Sequence, residues 1–388
     1  MQSLLSSLSQ SAHDTLYKNM EWTNEQIYLL YDRESPLAIL LSDAYRSILP
    51  SGSIDREFIS PPQPLYRGGL INPDNPYAKS QNRVMTNHNL EENKKTGLDH
   101  HETVENIVTE EVDPQVELIK DALLSLPKGS IVVLIQSTNF RLSTFRIRLE
   151  LFHRGVHVVE YNHLAYIPES EHTTFANSLT YRTPEYVSLQ NQFSSLLKDA
   201  QKICIHTVNG EILEFGSVEK IRGNTGDYTG IENKGGTFPL GEVFTEAVDL
   251  ESVSGKIYID TFPREDFSIA IVEPFLLTVE RGRVLPSSDF PPDFQKIYDY
   301  IVQFEGEVRV RELGFGLNPS ISTTSPLSDI NFHERKLGVH LSLGKKHGIF
   351  GKKFPKTELQ RFHIDVFAAL QGVSIDGKEI FYNNRWIF

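Results

Sequence analysis

The stretch "GSIVVLIQSTNFRLSTFRIRLELFHRGVHVVEYNHL", residues 129–164, decides the fold class of the first half of the chain. It begins with "SIVVLI", a β-branched run of strand length, and continues with apolar residues at helical spacing, namely Leu142, Phe145, Leu149 and Phe152. Gly155 ends this helix, and "VHVVEY" is a second strand. A strand, a helix and a strand in succession predict a βαβ crossover with parallel strands. We therefore assign residues ~115–195 to an open, largely parallel α/β sheet.

The segments upstream of this unit carry weaker signals. Residues 1–50 predict helices, with apolar positions around Leu4, Leu5 and Leu8 and again across "QIYLLYDRESPLAILLSDAYRSIL". Segment 89–113 is dense in charge and contains the pair His100 and His101, which indicates a solvated loop or exposed helix more readily than a metal site. The turn "IQSTNF" lacks the glycines of a phosphate-binding loop, so we predict no dinucleotide site.

The sequence pattern changes near residues 198–202. Short strand-like segments then alternate with Gly, Asn and Pro turns, as in "KICIHTVNGEILEF", "GKIYIDTF" and "GVHLSLG", and "PPDFQKIYDYIVQF" is the best helix candidate. A chain of 388 residues exceeds the usual size of one hydrophobic core. We predict an N-terminal α/β domain over residues 1–199 and a C-terminal β-rich α+β domain over residues 200–388.

The bulk composition is that of an ordinary globular protein, and it argues against several function classes. A formal net charge of −13 disfavours sequence-independent binding of nucleic acid, which needs a basic surface. Cys204 is the single cysteine, so no internal disulfide forms, which fits a reducing cytosol. No stretch approaches the ~20 apolar residues that span a bilayer, and the N-terminus lacks a secretory signal. We expect a cytoplasmic protein that binds neither nucleic acid nor membrane.

Polar residues interrupt apolar strands at several places in the second half. In "FHIDVF", His363 and Asp365 lie two residues apart, so in a strand they share one face. They could satisfy each other as a pair, or both could ligate a metal. Glu242, Glu312 and His340 occupy similar strand or strand-end positions. Taken alone, each glutamate is more readily explained as a solvated carboxylate, and His340 as a hydrogen-bonded core histidine.

Taken together, the three carboxylates and two imidazoles favour a metal centre. Crowded carboxylates repel one another and would protonate unless a cation neutralised them. The set suits two divalent ions bridged by one carboxylate, and zinc, cobalt and manganese are all compatible with it. Glu334 in "HERK" is a candidate for orienting His340, or else forms a surface salt bridge.

The second half, from "AQKICIHTVNGEILEF" to the C-terminus, resembles the M29 family of metallo-aminopeptidases. The resemblance rests on segments in the family's order: "GEVFTEAV", "RELGFGLNP", "HERKLGVHLSLG", and "FHIDVF" followed by "GVSIDGKEIF". It implies metal ligands at Glu242, Glu312, His340, His363 and Asp365.

The resemblance also implies a function. A two-metal site would remove N-terminal residues from short peptides, with one ion anchoring the free amine while an activated water attacks the first peptide carbonyl. Glu312 would act as the general base or would bridge the two ions. The resemblance therefore implies a peptide substrate. Because the family is generally dimeric, it implies a homodimer as well.

Two departures from the family pattern affect this expectation. The family usually has a tyrosine seven residues after the histidine ligand, where this chain has His347 in "HLSLGKKHG". A phenol, with a pKa of about 10, donates at neutral pH, whereas histidine titrates near about 6.5. His347 could replace that donor as a catalytic residue, become an extra ligand, or be a surface residue. The first half matches the family poorly, which leaves an alternative open: a catalytically altered member that binds a peptide as a partner or processing factor.

Overall fold

The computed structural model describes residues 2–57, 121–138, 147–264, 268–347, 349–350, 353–355 and 357–388. Segment 89–113 with His100 and His101 lies outside these residues, as do Leu142 and Phe145 of the predicted crossover helix. Every helix in the described part is too short or too polar to cross a membrane.

The described helices are α1 (Gln2–Asp14), which continues into a π-helical turn (Thr15–Asn19), α2 (Pro36–Arg46), α3 (Ile147–His153), α4 (His172–Ser178), α5 (Thr183–Leu197), α6 (Pro292–Glu305) and α7 (Ile330–His333). The described strands are β1 (Ile27–Tyr31), β2 (Ile54–Glu57), β3 (Ile131–Ile135), β4 (His157–Tyr161), β5 (Ile203–Thr207), β6 (Ile212–Phe215), β7 (Arg222–Asn224), β8 (Gly235–Thr237), β9 (Glu242–Thr245), β10 (Ser254–Pro263), β11 (Ile269–Glu280), β12 (Arg283–Val284), β13 (Val310–Gly316), β14 (Gly338–Leu343), β15 (Ile364–Ala368), β16 (Leu370–Ile375), β17 (Lys378–Tyr382) and β18 (Arg385–Trp386).

The first sheet, sheet A, is five-stranded and parallel, with strand order β2–β1–β3–β4–β8. β3 is buried along its whole length, as expected for a β-branched strand covered on both faces. β3 and β4 pair in parallel, Val132 opposite Val158, and α3 lies between them in the chain. The predicted βαβ crossover and the α/β fold class are confirmed.

The N-terminal segment is not helical throughout, so the prediction of helices over residues 1–50 is wrong for part of it. Residues Ile27–Tyr31 form β1, which pairs in parallel with both β2 and β3. The run "IYLLY" is too short for its apolar pattern to distinguish a buried strand from part of a helix. Helix α2 starts only after Ser35, whose side chain accepts a hydrogen bond from the Ala38 amide, with Pro36 in the first turn.

The second sheet, sheet B, is built from strands of the second half and is antiparallel. Its path runs β18–β17–β16–β5–β6–β10–β15–β14–β13–β9–β7, with β11 paired to β10 and β12 to β11. The predicted helix "PPDFQKIYDYIVQF" is present as α6. The second half is therefore β-rich as predicted, and β15, β14, β13 and β9 lie side by side near one end of the path.

The two sheets are joined through β8, which belongs to the second half of the chain but pairs with β4 of sheet A. Phe238 continues this contact, since its amide donates to the Glu160 carbonyl. One cluster of buried apolar side chains extends from Leu29 in β1 to Phe381 in β17. The division at residue 199 stays a prediction, but the halves share a sheet and a core.

Candidate metal centre

One face of sheet B carries the strand-borne candidate residues. Asp365 on β15 lies opposite Ser342 on β14, and Ser342 lies opposite Glu312 on β13. His340 is two residues before Ser342. Because paired residues and residues two apart share a face of a sheet, these side chains all project in the same direction.

Glycines on β13 let His340 extend across the neighbouring strand. His340 lies opposite Gly314, where a Cβ atom would stand 2.0 Å from its Nε2, and Glu242 on β9 lies opposite Gly316. His340 Nε2 is therefore 3.2 Å from Glu242 Oε1 and 3.4 Å from Glu312 Oε1. One potential metal-ligand atom from each of Glu242, Glu312 and His340 lies within 4.8 Å of the other two, and all three residues are buried.

The electrostatics of this group favour a cation. Burial alone would lower the pKa of His340, but the carboxylates of Glu242 and Glu312 raise it well above its usual value. Burial would raise the pKa of Glu312, but the neighbouring imidazoles of His340 and His347 hold it below its usual value. The Nε2 atom of His340 is nevertheless buried without a well-oriented hydrogen bond. A divalent ion between these carboxylate and imidazole donors would satisfy all of them, so the residues fit a metal.

His363 and Asp365 meet at the hydroxyl of Ser342. Ser342 Oγ donates to Asp365 Oδ1 and lies 2.9 Å from His363 Nε2. His363 Nε2 and Asp365 Oδ1 are 3.4 Å apart. The structure thus brings this pair together beside Glu312. Sequence reasoning did not single out Ser342, and its spacing of two residues from His340 is the only signal that placed it on this face.

His347 lies after β14, and its side chain turns back towards Glu312. It is 7% exposed, which excludes the surface-residue alternative, and its ring lies against Phe244 and Phe350. His347 Nε2 is 2.5 Å from Glu312 Oε2. Glu312 therefore directs one oxygen towards His340 and the other towards His347. Donor atoms of Glu312, His347 and His363 form a second group within 4.8 Å.

Arg335 supplies positive charge beside the carboxylates and was not predicted. Its Nη1 lies 3.4 Å from Glu242 Oε2 and donates to the Asn331 carbonyl at 3.0 Å. Glu334, proposed from the sequence to orient His340, forms its ion pair with Arg335. Burial and the neighbouring carboxylates Asp365 and Glu242 raise the pKa of Glu334 well above its usual value, although Arg335 opposes this. Arg335 thus holds Glu242 with its other oxygen facing His340.

Two buried charged side chains hold the chain between β14 and β15. Glu305, at the end of α6, accepts the backbone amides of Lys345, Arg361 and Phe362 at 2.7, 2.5 and 2.8 Å. Arg311 donates to the carbonyls of Lys345 and Phe350 at 2.5 and 2.9 Å and pairs with the buried Glu246 at 2.9 Å. These contacts fix the positions from which His347 and His363 approach Glu312.

Comparison with known proteins gives matches at the level of structure alone. No protein-family model matches the chain, and neither does any curated protein. AmpT from Thermus thermophilus is similar in structure, with a TM-score of 0.60, 13% sequence identity, and 99% of each chain covered. A 2,5-dihydroxypyridine dioxygenase from Pseudomonas putida is also similar, with a TM-score of 0.57 and 13% identity over 99% of this chain and 97% of that chain.

These matches extend the similarity beyond the second half, on which the sequence resemblance rests, to the whole chain. At 13% identity they establish the fold and leave the chemistry to be argued from the site. The chain therefore has the fold of AmpT, as its resemblance to the M29 metallo-aminopeptidases predicts.

Proposed function

We propose that the protein is a metal-dependent hydrolase that removes the N-terminal residue of a peptide. The observation that carries this proposal is the convergence of five side chains beside one face of sheet B. Glu242, His340 and Glu312 form one contacting group and His363 and Asp365 form another. Ligand atoms of Glu312 and His363 lie within 4.8 Å of each other. AmpT, which has the same fold, is an M29 aminopeptidase. Both the donor set and its order along the chain agree with the sequence resemblance.

The arrangement supports a site for two ions with Glu312 between them. Glu242 and His340 lie on one side of Glu312, and His363 and Asp365 lie on the side of the Ser342 hydroxyl. Two bound divalent ions would polarise a peptide carbonyl and lower the pKa of an attacking water. Zinc, cobalt and manganese all accept this mixture of carboxylate and imidazole donors.

Each residue would have a role that its surroundings support. Glu242 is held by Arg335, and Asp365 by Ser342, so both carboxylates are oriented before any ion binds. Glu312 offers one oxygen to each side and is the candidate for bridging or for accepting the proton of the water. The free amine of a peptide would bind next to these carboxylates. The proposal also includes a homodimer and a cytoplasmic location.

A second candidate function is a single-iron oxygenase. It is favoured by the group Glu312, His347 and His363, because two imidazoles and one carboxylate are the ligand set of many non-haem iron(II) oxygenases. A protein of similar fold is a dioxygenase. In this arrangement one ion would use His347 as a ligand, whereas the two-ion hydrolase does not require it.

Metal analysis and two activity assays separate these functions. We expect about two zinc, cobalt or manganese ions per chain and turnover of aminoacyl substrates. Asp365→Ala should lose both the bound metal and the turnover. Asp289→Ala, which changes an exposed aspartate, should lose neither. One iron per chain with oxygen consumption would instead support the oxygenase. Bound metal without turnover of any peptide or amide would favour the catalytically altered peptide-binding protein.

A further inference from the structure

The hydrogen bonds of His347 determine which of its ring nitrogens carries the proton. The backbone amides of Ile349 and Phe350 both point at Nδ1, at 3.1 and 3.2 Å. An amide N–H only donates, so Nδ1 must offer its lone pair. In a neutral imidazole the proton then resides on Nε2, the atom that lies 2.5 Å from Glu312 Oε2.

His363 has the opposite arrangement. Its Nδ1 lies 3.2 Å from the Lys346 carbonyl, which only accepts, so Nδ1 carries the proton. Its Nε2 lies 2.9 Å from Ser342 Oγ and 3.4 Å from Asp365 Oδ1, on the side of the ring where an ion held by Asp365 would bind. A histidine whose Nδ1–H is held by a backbone carbonyl and whose Nε2 is free is the usual form of a metal-ligating histidine.

We propose that His347 is a positioning residue that donates from Nε2–H to the Glu312 carboxylate, and that it is not a metal ligand. The inference rests on the proposed metal site, since it assigns the two histidines near Glu312 to different roles: His363 to the metal and His347 to the carboxylate. His347 could bind an ion through Nε2 only by giving up both backbone amides at Nδ1.

This assignment has a consequence for the chemistry of the site. With His347 as a donor, the group Glu312, His347 and His363 provides one imidazole and one carboxylate to an ion, which is one ligand short of the iron set described above. The donor also provides at Glu312 what the phenol of a tyrosine could provide at the same position. The replacement of tyrosine by histidine therefore keeps a hydrogen-bond donor in the site.

Nuclear magnetic resonance of protein labelled with ¹⁵N at histidine tests the assignment directly. Metal-free protein should show the Nε2–H tautomer for His347, whereas His363 should carry a proton on Nδ1, with assignments made from His347→Phe and, should that variant fail to fold, from His347→Gln. After loading with ¹¹³Cd²⁺, spin coupling to cadmium should appear on His340 and His363 and be absent from His347. Cadmium coupling on His347, or an Nδ1–H tautomer for it in metal-free protein, would overturn the proposal.

Cadmium affinity of the variants gives a second readout. Loss of a hydrogen-bond donor to a metal-ligating carboxylate typically weakens metal binding by about 10–100-fold, and we expect this for His347→Phe without loss of an ion. His347→Tyr should recover most of that affinity, and His153→Phe, which changes an exposed histidine, should leave it unchanged. Failure of His347→Tyr to recover any affinity would count against the donor role. Protein that binds no cadmium would refute the proposed metal site, while the tautomer of His347 would still be measured.

Discussion

Replacing Glu305 by glutamine should loosen the chain that carries His347 and His363. The carboxylate accepts three backbone amides: Oε1 those of Arg361 and Phe362, and Oε2 that of Lys345. Glutamine keeps one carbonyl oxygen but places an NH₂ group where the second acceptor was. In its better orientation, this NH₂ group faces the Lys345 amide, so that a donor meets a donor.

The magnitude follows from these contacts. Leaving the buried Lys345 amide without its acceptor costs about 1–3 kcal/mol, whether or not the carboxyl group is charged. Burial opposes the charged form, since it raises the pKa of Glu305 above its ordinary value of 4.5 despite the three amides, and removing the charge recovers part of the loss. We expect a net local cost of about 2 kcal/mol.

Hydrogen exchange measured by mass spectrometry reports this cost locally. A loss of about 2 kcal/mol corresponds to roughly 30-fold faster exchange in peptides covering residues 343–347 and 361–364. Glu273→Gln, which changes an exposed glutamate on β11, should leave both peptides unchanged. Equal exchange in Glu305→Gln and the parent protein would refute the argument that this carboxylate holds the two ends of the segment.

The pH dependence has a definite sign. Because its pKa is raised on folding, Glu305 binds a proton more tightly in the folded protein than in the unfolded chain. Its contribution to stability is therefore largest below pH 4.5 and falls as the pH rises through the raised pKa. The difference in exchange between the parent protein and Glu305→Gln should accordingly shrink as the pH increases across that window.

Three further predictions concern the site and its support. Gly314→Ala would place a methyl group 2.0 Å from His340 Nε2, so elemental analysis should find less metal in a variant whose circular dichroism is unchanged; full metal content would contradict the packing. Because the pKa of His340 is raised in metal-free protein while a ligating imidazole must be neutral, metal binding should release protons and weaken as the pH falls, which calorimetry in two buffers of different ionisation enthalpy measures. Arg311→Met leaves the buried Glu246 carboxylate with Lys353 as its remaining partner and should lower the free energy of urea unfolding by about 3–5 kcal/mol. Arg281→Met, which removes an exposed ion pair, should lower it by less than about 1 kcal/mol. Equal losses of stability in the two variants would show that burial of the pair does not matter.

The parts of the structure that the sequence predicted are those in which a local pattern has one physical solution. The β-branched run 131–135, the glycine at position 155 and the second strand at 157–161 require a crossover, and the structure has it. The candidate ligands were found because a carboxylate or imidazole in an apolar strand needs a partner. The structure brings these side chains together, while their role as ligands stays a prediction.

The parts that escaped prediction depend on distant contacts. Gly235–Thr237 has neither β-branched runs nor alternation, and it becomes a strand only because β4 offers it an edge. Arg335 lies inside a quoted motif, but its contact with Glu242 depends on the turn after α7. The proton position on His347 is set by two amides in the following turn, which no residue pattern encodes.

The pairing of β8 with β4 bears on how the protein can be divided. Glu242 follows the last residue of β8, Thr237, by only a few positions along the chain, and between them Phe238 is still bonded to β4 through Glu160. The parallel sheet thus holds in place the segment just before Glu242, which is the first of the five candidate ligands along the chain. A fragment starting at residue 200 would contain all the motifs but would lack the strand edge that positions the segment before Glu242. Any exchange of the first half for another domain would have to keep a strand that can pair with residues 235–237.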